Sequence, residues 1–461
     1  MNKKLKKLTA TVLSLTMLSC YGMTDYSSIS AVTEQEETYQ SSDDIASSAP
    51  IYSTNARNLK DKFHNSFRMG VNVEPFEIIS YDDLILRHFN SITPRFTLSP
   101  DCILDMEASQ ELGENVNPQI SLSDRAKDLL SFCEENNIAI RGNTFVYHAY
   151  TPDWFFRENF RLNASYVSED VMNQRLENMI KNTFEILKTD YPNLEIYAYD
   201  VVSDVFLNDG GGLRDATSSK WAIIYKDDSF IENAFSYARK YAPEGCKLYI
   251  SDYNEYISEK TNDIYKMAMK LKEKKLIDGI AMQSYLNTSY PSIEIYKTAL
   301  KKFIHTGLDI QITELNINGP NPSERAEMYK EIFKLAIENS ESISSISMYA
   351  TRDRLISDQE SQLFDINGKP NESFDAVMGI SFFNTDEPDT PKTEILYGDI
   401  NNDNDINLSD LTMLSLALVG DAELSSGQKL VADVAYNDSI DIADLALLKQ
   451  YICKDDVKLG K

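Results

Sequence analysis

A (β/α)₈ barrel of the TIM type followed by a small all-α module is the α/β architecture predicted for this chain of 461 residues, and three observations predict it. From about 58 to 381, short β-rich runs alternate eight times with segments that can form helices. No glycine-rich phosphate loop follows the first run, which counts against the alternative of an open doubly wound sheet. Beyond a polar stretch the chain then repeats itself, as two matching loop-and-helix units.

The β-rich runs are Phe67–Val73, Ser91–Thr97, Ala139–Tyr147, Glu195–Val202, Lys247–Ile250, Gly279–Ser284, Asp309–Thr313 and Ser345–Tyr349. Between them, Ser123–Asn137 and Ser168–Thr189 show apolar residues at helical spacing, and Pro322 and Ser323 mark the start of a helix reaching Asn339. Residues 382–397 carry Pro388 and Pro391 among polar neighbours and read as a semi-rigid linker; 398–456 form the separate tail module.

The N-terminus reads as an export signal over 1–31. Lys3, Lys4, Lys6 and Lys7 precede an apolar run from Leu8 to Leu18. That run is shorter than the roughly 20 residues a membrane span needs. Two processing routes stay open: cleavage near Ala31, or acylation of Cys20, where Met17 departs from the usual lipoprotein box. Residues 32–57 are rich in Ser, Thr, Glu and Asp, which suits a flexible lead-in. A net charge of −27 opposes binding to nucleic acid or an anionic membrane and is compatible with a neutral polysaccharide. Cys102, Cys133, Cys246 and Cys453 lack metal-site spacing and are expected mostly as small buried hydrophobes.

In the tail, Asp399, Asn401, Asp403, Asp405, Asn407 and Asp410 recur in register as Asp433, Ala435, Asn437, Ser439, Asp441 and Asp444, each set followed by an apolar helix. Ca²⁺ takes hard oxygen ligands from positions 1, 3, 5, 7, 9 and 12 of a 12-residue loop. The first loop offers an oxygen side chain at all six. The second loses one at Ala435 and is expected to bind more weakly. In loop spacing and in its Leu-rich helices the tail resembles a cellulosomal dockerin. The resemblance implies structural calcium and a cohesin domain on a scaffold protein as partner, contacted through Leu408-Ser409 and Ile442-Ala443.

In the barrel region, Arg141-Gly-Asn-Thr-Phe-Val-Tyr-His148 running on to Thr151-Pro-Asp-Trp-Phe-Phe156, Tyr199-Asp-Val-Val-Ser-Asp204 and Ile310-Gln-Ile-Thr-Glu314 resemble the third-, fourth- and seventh-strand signatures of the family 10 xylanases. Ile250-Ser-Asp-Tyr-Asn254, Ala281-Met-Gln-Ser284 and His88–Pro94 add smaller matches. Carboxylates at the C-terminal ends of strands four and seven point into one mouth. A retaining glycosidase needs two such groups, one as nucleophile and one as acid/base. The resemblance makes Glu314 the nucleophile and puts Asp204 where the family has its Glu acid/base. It places Asn143, Tyr147, His148, Ser203, Tyr253, Gln283 and Tyr285 at the substrate. Among these, Asn143 stands for a subsite His, Tyr147 for a Trp, Ser203 for the Asn that bonds the sugar 2-OH, and Tyr285 for the His that holds the nucleophile. Arg95-Phe-Thr-Leu-Ser99 replaces the family's sugar-binding residues after Pro94, and Met348 and Ile356 fall where Trp side chains usually roof the site.

The expectation is a secreted, cellulosome-associated endo-1,4-β-xylanase acting on plant xylan, without a catalytic cofactor. Because Asp is one methylene shorter than Glu, impaired turnover or altered specificity is expected with it. The alternative is a non-catalytic barrel that binds carbohydrate or another partner while docked to the scaffold.

Overall fold

The computed structural model describes residues 58–95, 97–353 and 360–380 and, in the tail, 396–401, 405–420, 422, 424, 426–435, 437, 439–453 and 457–460. The expected export segment and lead-in, most of the linker, Ile356 and the ligand position Asp403 lie outside the described residues.

Eight strands close into a parallel ring: β1 (Arg68–Val73), β2 (Ser91–Pro94), β3 (Ala139–Tyr147), β4 (Ile196–Ser203), β5 (Lys247–Asp252), β6 (Gly279–Met282), β7 (Asp309–Asn318) and β8 (Ile343–Met348). Each pairs with its neighbour in chain order, and β8 pairs with both β7 and β1. Closure removes the exposed edges an open sheet would leave. Most strand residues are buried on both faces, as a parallel sheet wrapped in helices requires. The seventh strand runs five residues beyond the expected Thr313, and Tyr285–Asn287 pairs with this extension.

Three amphipathic helices start on side-chain caps. α1 (Asp124–Glu135) is capped by Ser123, α2 (Glu169–Asp190) by Ser168, and α3 (Pro322–Glu338) by Asn321. In α3 the cap is therefore Asn321, with Pro322 at the first turn; the expected start residue Ser323 lies inside the helix and donates its backbone N–H to that cap.

The barrel interior is partly polar. Arg141 on β3 reaches across the lumen, donating through Nε to Gln311 on β7 at 2.9 Å and through Nη1 to Asp200 on β4 at 2.5 Å. Gln311 in turn donates to Tyr249 and Ser344. Packing leaves no slack beside this network. A Cβ on Gly142 would come within 2.2 Å of the Tyr199 ring, which stacks on Phe145 at 4.2 Å. Cys133 and Cys246 are buried as expected, whereas Cys102 and Cys453 are exposed; all four are free thiols.

In the tail, α4 (Leu408–Leu418) and α5 (Ile442–Ile452) enclose a small core of Ile400, Leu414, Leu424, Ala432, Val434 and Leu448. Both helices begin with a capping box, Asn407 with Asp410 and Asp441 with Asp444, so positions 9 and 12 of each loop also start the helix that follows. Among the described residues no helix is long and apolar enough to cross a membrane.

Candidate active site

Glu314 sits in β7 where the register against β8 slips. Ile312 pairs with Ile346 but Leu315 pairs with Met348, so β7 carries one extra residue between them. A bulge of this kind re-aims a side chain. The Glu314 carboxylate accepts the Tyr285 hydroxyl. Desolvation pushes its pKa up to about 7, against the pull of the Tyr285 hydrogen bond and the Arg95 guanidinium; Asp204 and then Asp200 add to the rise.

Asp204 follows β4 directly, in the left-handed region at φ 55°. Few non-glycine residues occupy that region, and those that do gather at functional sites. Its backbone N–H donates to Ser251 O at 3.1 Å. Its Oδ1 accepts from Gln283 Nε2 at 2.7 Å and Ser203 Oγ at 3.0 Å. The two carboxylates are thus held at the end of β4 and in β7 around one mouth, and the charge of Asp204 raises the pKa of Glu314.

The other positions expected at the substrate divide into three groups. Ser203 and Gln283 join Asp204, and Tyr285 joins Glu314. His148 lies beside the Asp204 carbonyl with Nδ1 buried and unpartnered, and burial followed by the Arg214 charge lowers its pKa to about 3, so its ring is neutral. Tyr147 packs between His148 and Tyr150, at ring distances of 5.2 and 5.0 Å. Tyr253 takes a hydrogen bond from Arg214 at 2.9 Å and lies under Lys260, whose Nζ is 3.8 Å from the ring. Asn143 belongs to the lumen network, donating to Asp200 at 3.0 Å.

Sequence reading assigned no role to four residues of this mouth. Tyr349, first after β8, packs its ring against Tyr285 at 5.3 Å and carries the Arg95 guanidinium on its face at 4.1 Å. Lys260 pairs with Asp252 at 2.6 Å, both fully buried, and burial lifts Asp252 to about 7 despite that pairing. Arg214 bonds the Asp204 carbonyl. Their one sequence signal was position: Tyr349 and Asp252 at strand ends, Arg214 in the glycine-rich loop after β4, and Lys260 in the first turn of the helix Ser258–Glu273.

In the tail loops, Asp410 accepts the backbone N–H groups of Ile400, Asn401 and Asn407, and Asp444 those of Ala435 and Asp441. Burial raises the pKa of Asp444, and Asp433 and Asp441 raise it further. A hard dication suits such mutually repelling, all-oxygen donors. Among the described residues no three His, Cys, Asp or Glu side chains form a metal cluster by themselves. The loops draw also on Asn401, Asn407, Asn437 and Ser439, and Asp403 lies outside the described residues.

A closed βα-barrel with a carboxylate at the end of its fourth strand and another in its seventh, followed by a duplicated acidic loop-helix module, defines a class of modular carbohydrate-active protein. The chain belongs to glycosyl hydrolase family 10, which matches residues 58–380, and carries a dockerin type I domain over 397–453. It is 55% identical over 325 residues to the bifunctional endo-1,4-beta-xylanase XylA of Ruminococcus flavefaciens, covering 70% of this chain and 34% of that protein. It is 40% identical over 363 residues to endo-1,4-beta-xylanase Y of Acetivibrio thermocellus, covering 73% and 33%. The chain thus spans about a third of the length of these two relatives. Among solved structures, the Clostridium thermocellum endo-1,4-beta-D-xylanase 10B modules complexed with xylohexaose match with a TM-score of 0.67 at 39% identity, over 70% of this chain and 68% of that one. The intracellular xylanase of Thermoanaerobacterium saccharolyticum matches with a TM-score of 0.62 at 28% identity, over 70% and 98%.

Proposed function

We propose that the barrel is a retaining endo-1,4-β-xylanase, exported and held on a scaffold by its dockerin. The observation that carries this reading is the pair Glu314 and Asp204 at one mouth, each hydrogen-bonded from the segment just past β6, by Tyr285 and Gln283. Glu314 attacks the anomeric carbon, and the Tyr285 hydroxyl orients it and stabilises its charge. Asp204 protonates the departing glycosidic oxygen, then takes a proton from the water that releases the glycosyl enzyme. Gln283 and Ser203 fix the Asp204 carboxylate, and the identity to named xylanases gives no support to impairment. His148, Tyr147 and Tyr253 line the sugar path.

Calcium would be held by Asp399, Asn401, Asp403, Asp405, Asn407 and Asp410 in the first loop and by Asp433, Asn437, Ser439, Asp441 and Asp444 in the second. It would neutralise the loop carboxylates and brace a module with a very small core. Leu408 and Ile442 occupy equivalent positions in the two repeats and are 68% and 73% exposed, which suits contact with a cohesin.

A reducing-sugar assay on xylan, beside cellulose and mixed-linkage β-glucan, tests the reading. Release from xylan that disappears in Glu314→Ala and falls steeply in Asp204→Asn supports it. Unchanged release in Glu314→Ala, with the fold intact, refutes it.

A further inference from the structure

The loop after β4 doubles back on itself. Phe206 and Leu213 form an antiparallel bridge, Leu207 N–H donates to Gly212 O at 3.0 Å, and Arg214 N–H donates to Val205 O at 2.8 Å. Glycine is required at its tip. Gly210 has φ 84°, and a Cβ there would lie 2.3 Å from the Lys260 backbone nitrogen. Asp263, on the helix Ser258–Glu273, fastens the tip by accepting the N–H groups of Gly211 at 2.8 Å and Gly212 at 2.9 Å. The return limb thereby delivers Arg214 to the mouth.

There the guanidinium makes three contacts at once. Nε donates to the Asp204 carbonyl at 2.7 Å; Nη2 donates to Asn208 Oδ1 and to the Tyr253 hydroxyl, both at 2.9 Å. Asp204 is held at φ 55°, so its peptide would relax toward an ordinary conformation if this clamp were released. Its side chain is short, and a small rotation of the backbone carries the carboxyl away from the reacting oxygen.

We infer that Arg214 is a positioning residue for the acid/base, fixing the backbone of Asp204 and tying it to Tyr253 on the wall of the sugar path. The inference rests on the proposed role of Asp204. A planar fork with fixed donor directions suits this task, whereas a lysine supplies a single mobile head. Arg214 touches no reacting atom in this scheme; it acts through Asp204.

The test uses the full chain and two substrates: xylohexaose, whose leaving sugar needs protonation, and a dinitrophenyl β-xylobioside, whose leaving group does not. Arg214→Ala is expected to lower kcat/KM on xylohexaose by about 10- to 100-fold, the scale of a misplacement near 1 Å, while kcat/KM on the aryl glycoside, which reports only the step that forms the glycosyl enzyme, stays within about threefold. The aryl glycoside's kcat falls, because Asp204 also activates the water of the second step. Tyr253→Phe, a conservative change that removes one anchor, should give the same split at smaller size and covers the case in which Arg214→Ala fails to fold. Asp204→Asn is the control. If it lowers kcat/KM on xylohexaose and on the aryl glycoside equally, or lowers neither, the acid/base reading itself fails. If Asp204→Asn separates the substrates but Arg214→Ala and Tyr253→Phe lower both equally, or lower neither, Arg214 only anchors the loop and the inference is overturned.

Discussion

Replacing Tyr285 by Phe removes one hydroxyl that donates to the Glu314 carboxylate, and the consequence can be worked through in pH. The hydrogen bond favours the ionised form, so its loss must raise a pKa that desolvation has already pushed up to about 7. Hydrogen bonds to charged groups contribute about 1.5–3 kcal/mol, and 1.36 kcal/mol corresponds to one pH unit, so the rise is roughly one to two units. The nucleophile must be ionised to attack. The acidic limb of kcat/KM, which reports the free enzyme, should therefore move from about 7 to roughly 8–9. At pH 6 that lowers the ionised fraction from roughly a tenth to between about a hundredth and a thousandth, a further loss on the order of 10- to 100-fold. An activated aryl glycoside is the appropriate substrate, because protonation by Asp204 then leaves the profile alone. The reasoning is refuted if the acidic limb stays in place, or if Tyr285→Phe loses the same factor at every pH from 5 to 10.

Three further outcomes are expected. Gln283→Ala frees the Asp204 carboxylate from its 2.7 Å contact and should lower turnover on xylan about tenfold, measured by reducing-sugar release, while the melting temperature changes little. Arg141→Met leaves Asp200 buried in the lumen without its guanidinium partner, and denaturant unfolding should show a loss of about 3–5 kcal/mol. Chelation of calcium should reduce far-UV helical signal from 398–456 and abolish cohesin capture in a pull-down; Asp399→Ala should weaken both, and spectra unchanged by chelator would remove calcium from the account.

The alternation of strand and helix was legible because each barrel strand is short, apolar and followed by a periodic helix, a pattern contained within some twenty to forty residues. The place of Glu314 and Asp204 in the fold, as distinct from their role, was legible for a related reason: each lies at or just past the end of an apolar run, where a barrel opens its mouth. What the sequence hid are contacts over long separations and small departures from regular pairing. Nothing in the run to Thr313 announces that β7 continues to Asn318 through a bulge, which depends on how β8 pairs alongside. Arg141 was read only as part of a motif, although its buried pair with Asp200 and its bond to Gln311 order the lumen, and Asn143 donates to the same Asp200. Cys102 and Cys453 proved exposed because composition says which residues tend to be inside, not which particular one is.

The departures from the family's motifs acquire a different meaning once they are placed in space. Along the chain, Arg95, Ser203 and Tyr285 are separated by some eighty to a hundred residues and read as scattered losses. In the barrel they fall into two sets. Arg95 stacks on Tyr349, Tyr349 packs on Tyr285, and Tyr285 bonds Glu314, so the ends of β2, β6, β7 and β8 form one continuous wall around the nucleophile. Ser203 and Gln283 meet on Asp204 from the ends of β4 and β6. A mouth drifting free of function would have no physical reason to surround each carboxylate with hydrogen-bond donors, because an ionised, half-buried carboxyl is costly and apolar replacement is simpler. Retaining Glu314 in a setting that lifts its pKa is likewise a cost to stability, one that grows as pH rises from the ordinary 4.5 to about 7 and is fully present above it. A chain that bears this cost while keeping donors on both carboxylates is better accounted for by continued chemistry at the mouth than by a barrel kept only as a binding surface.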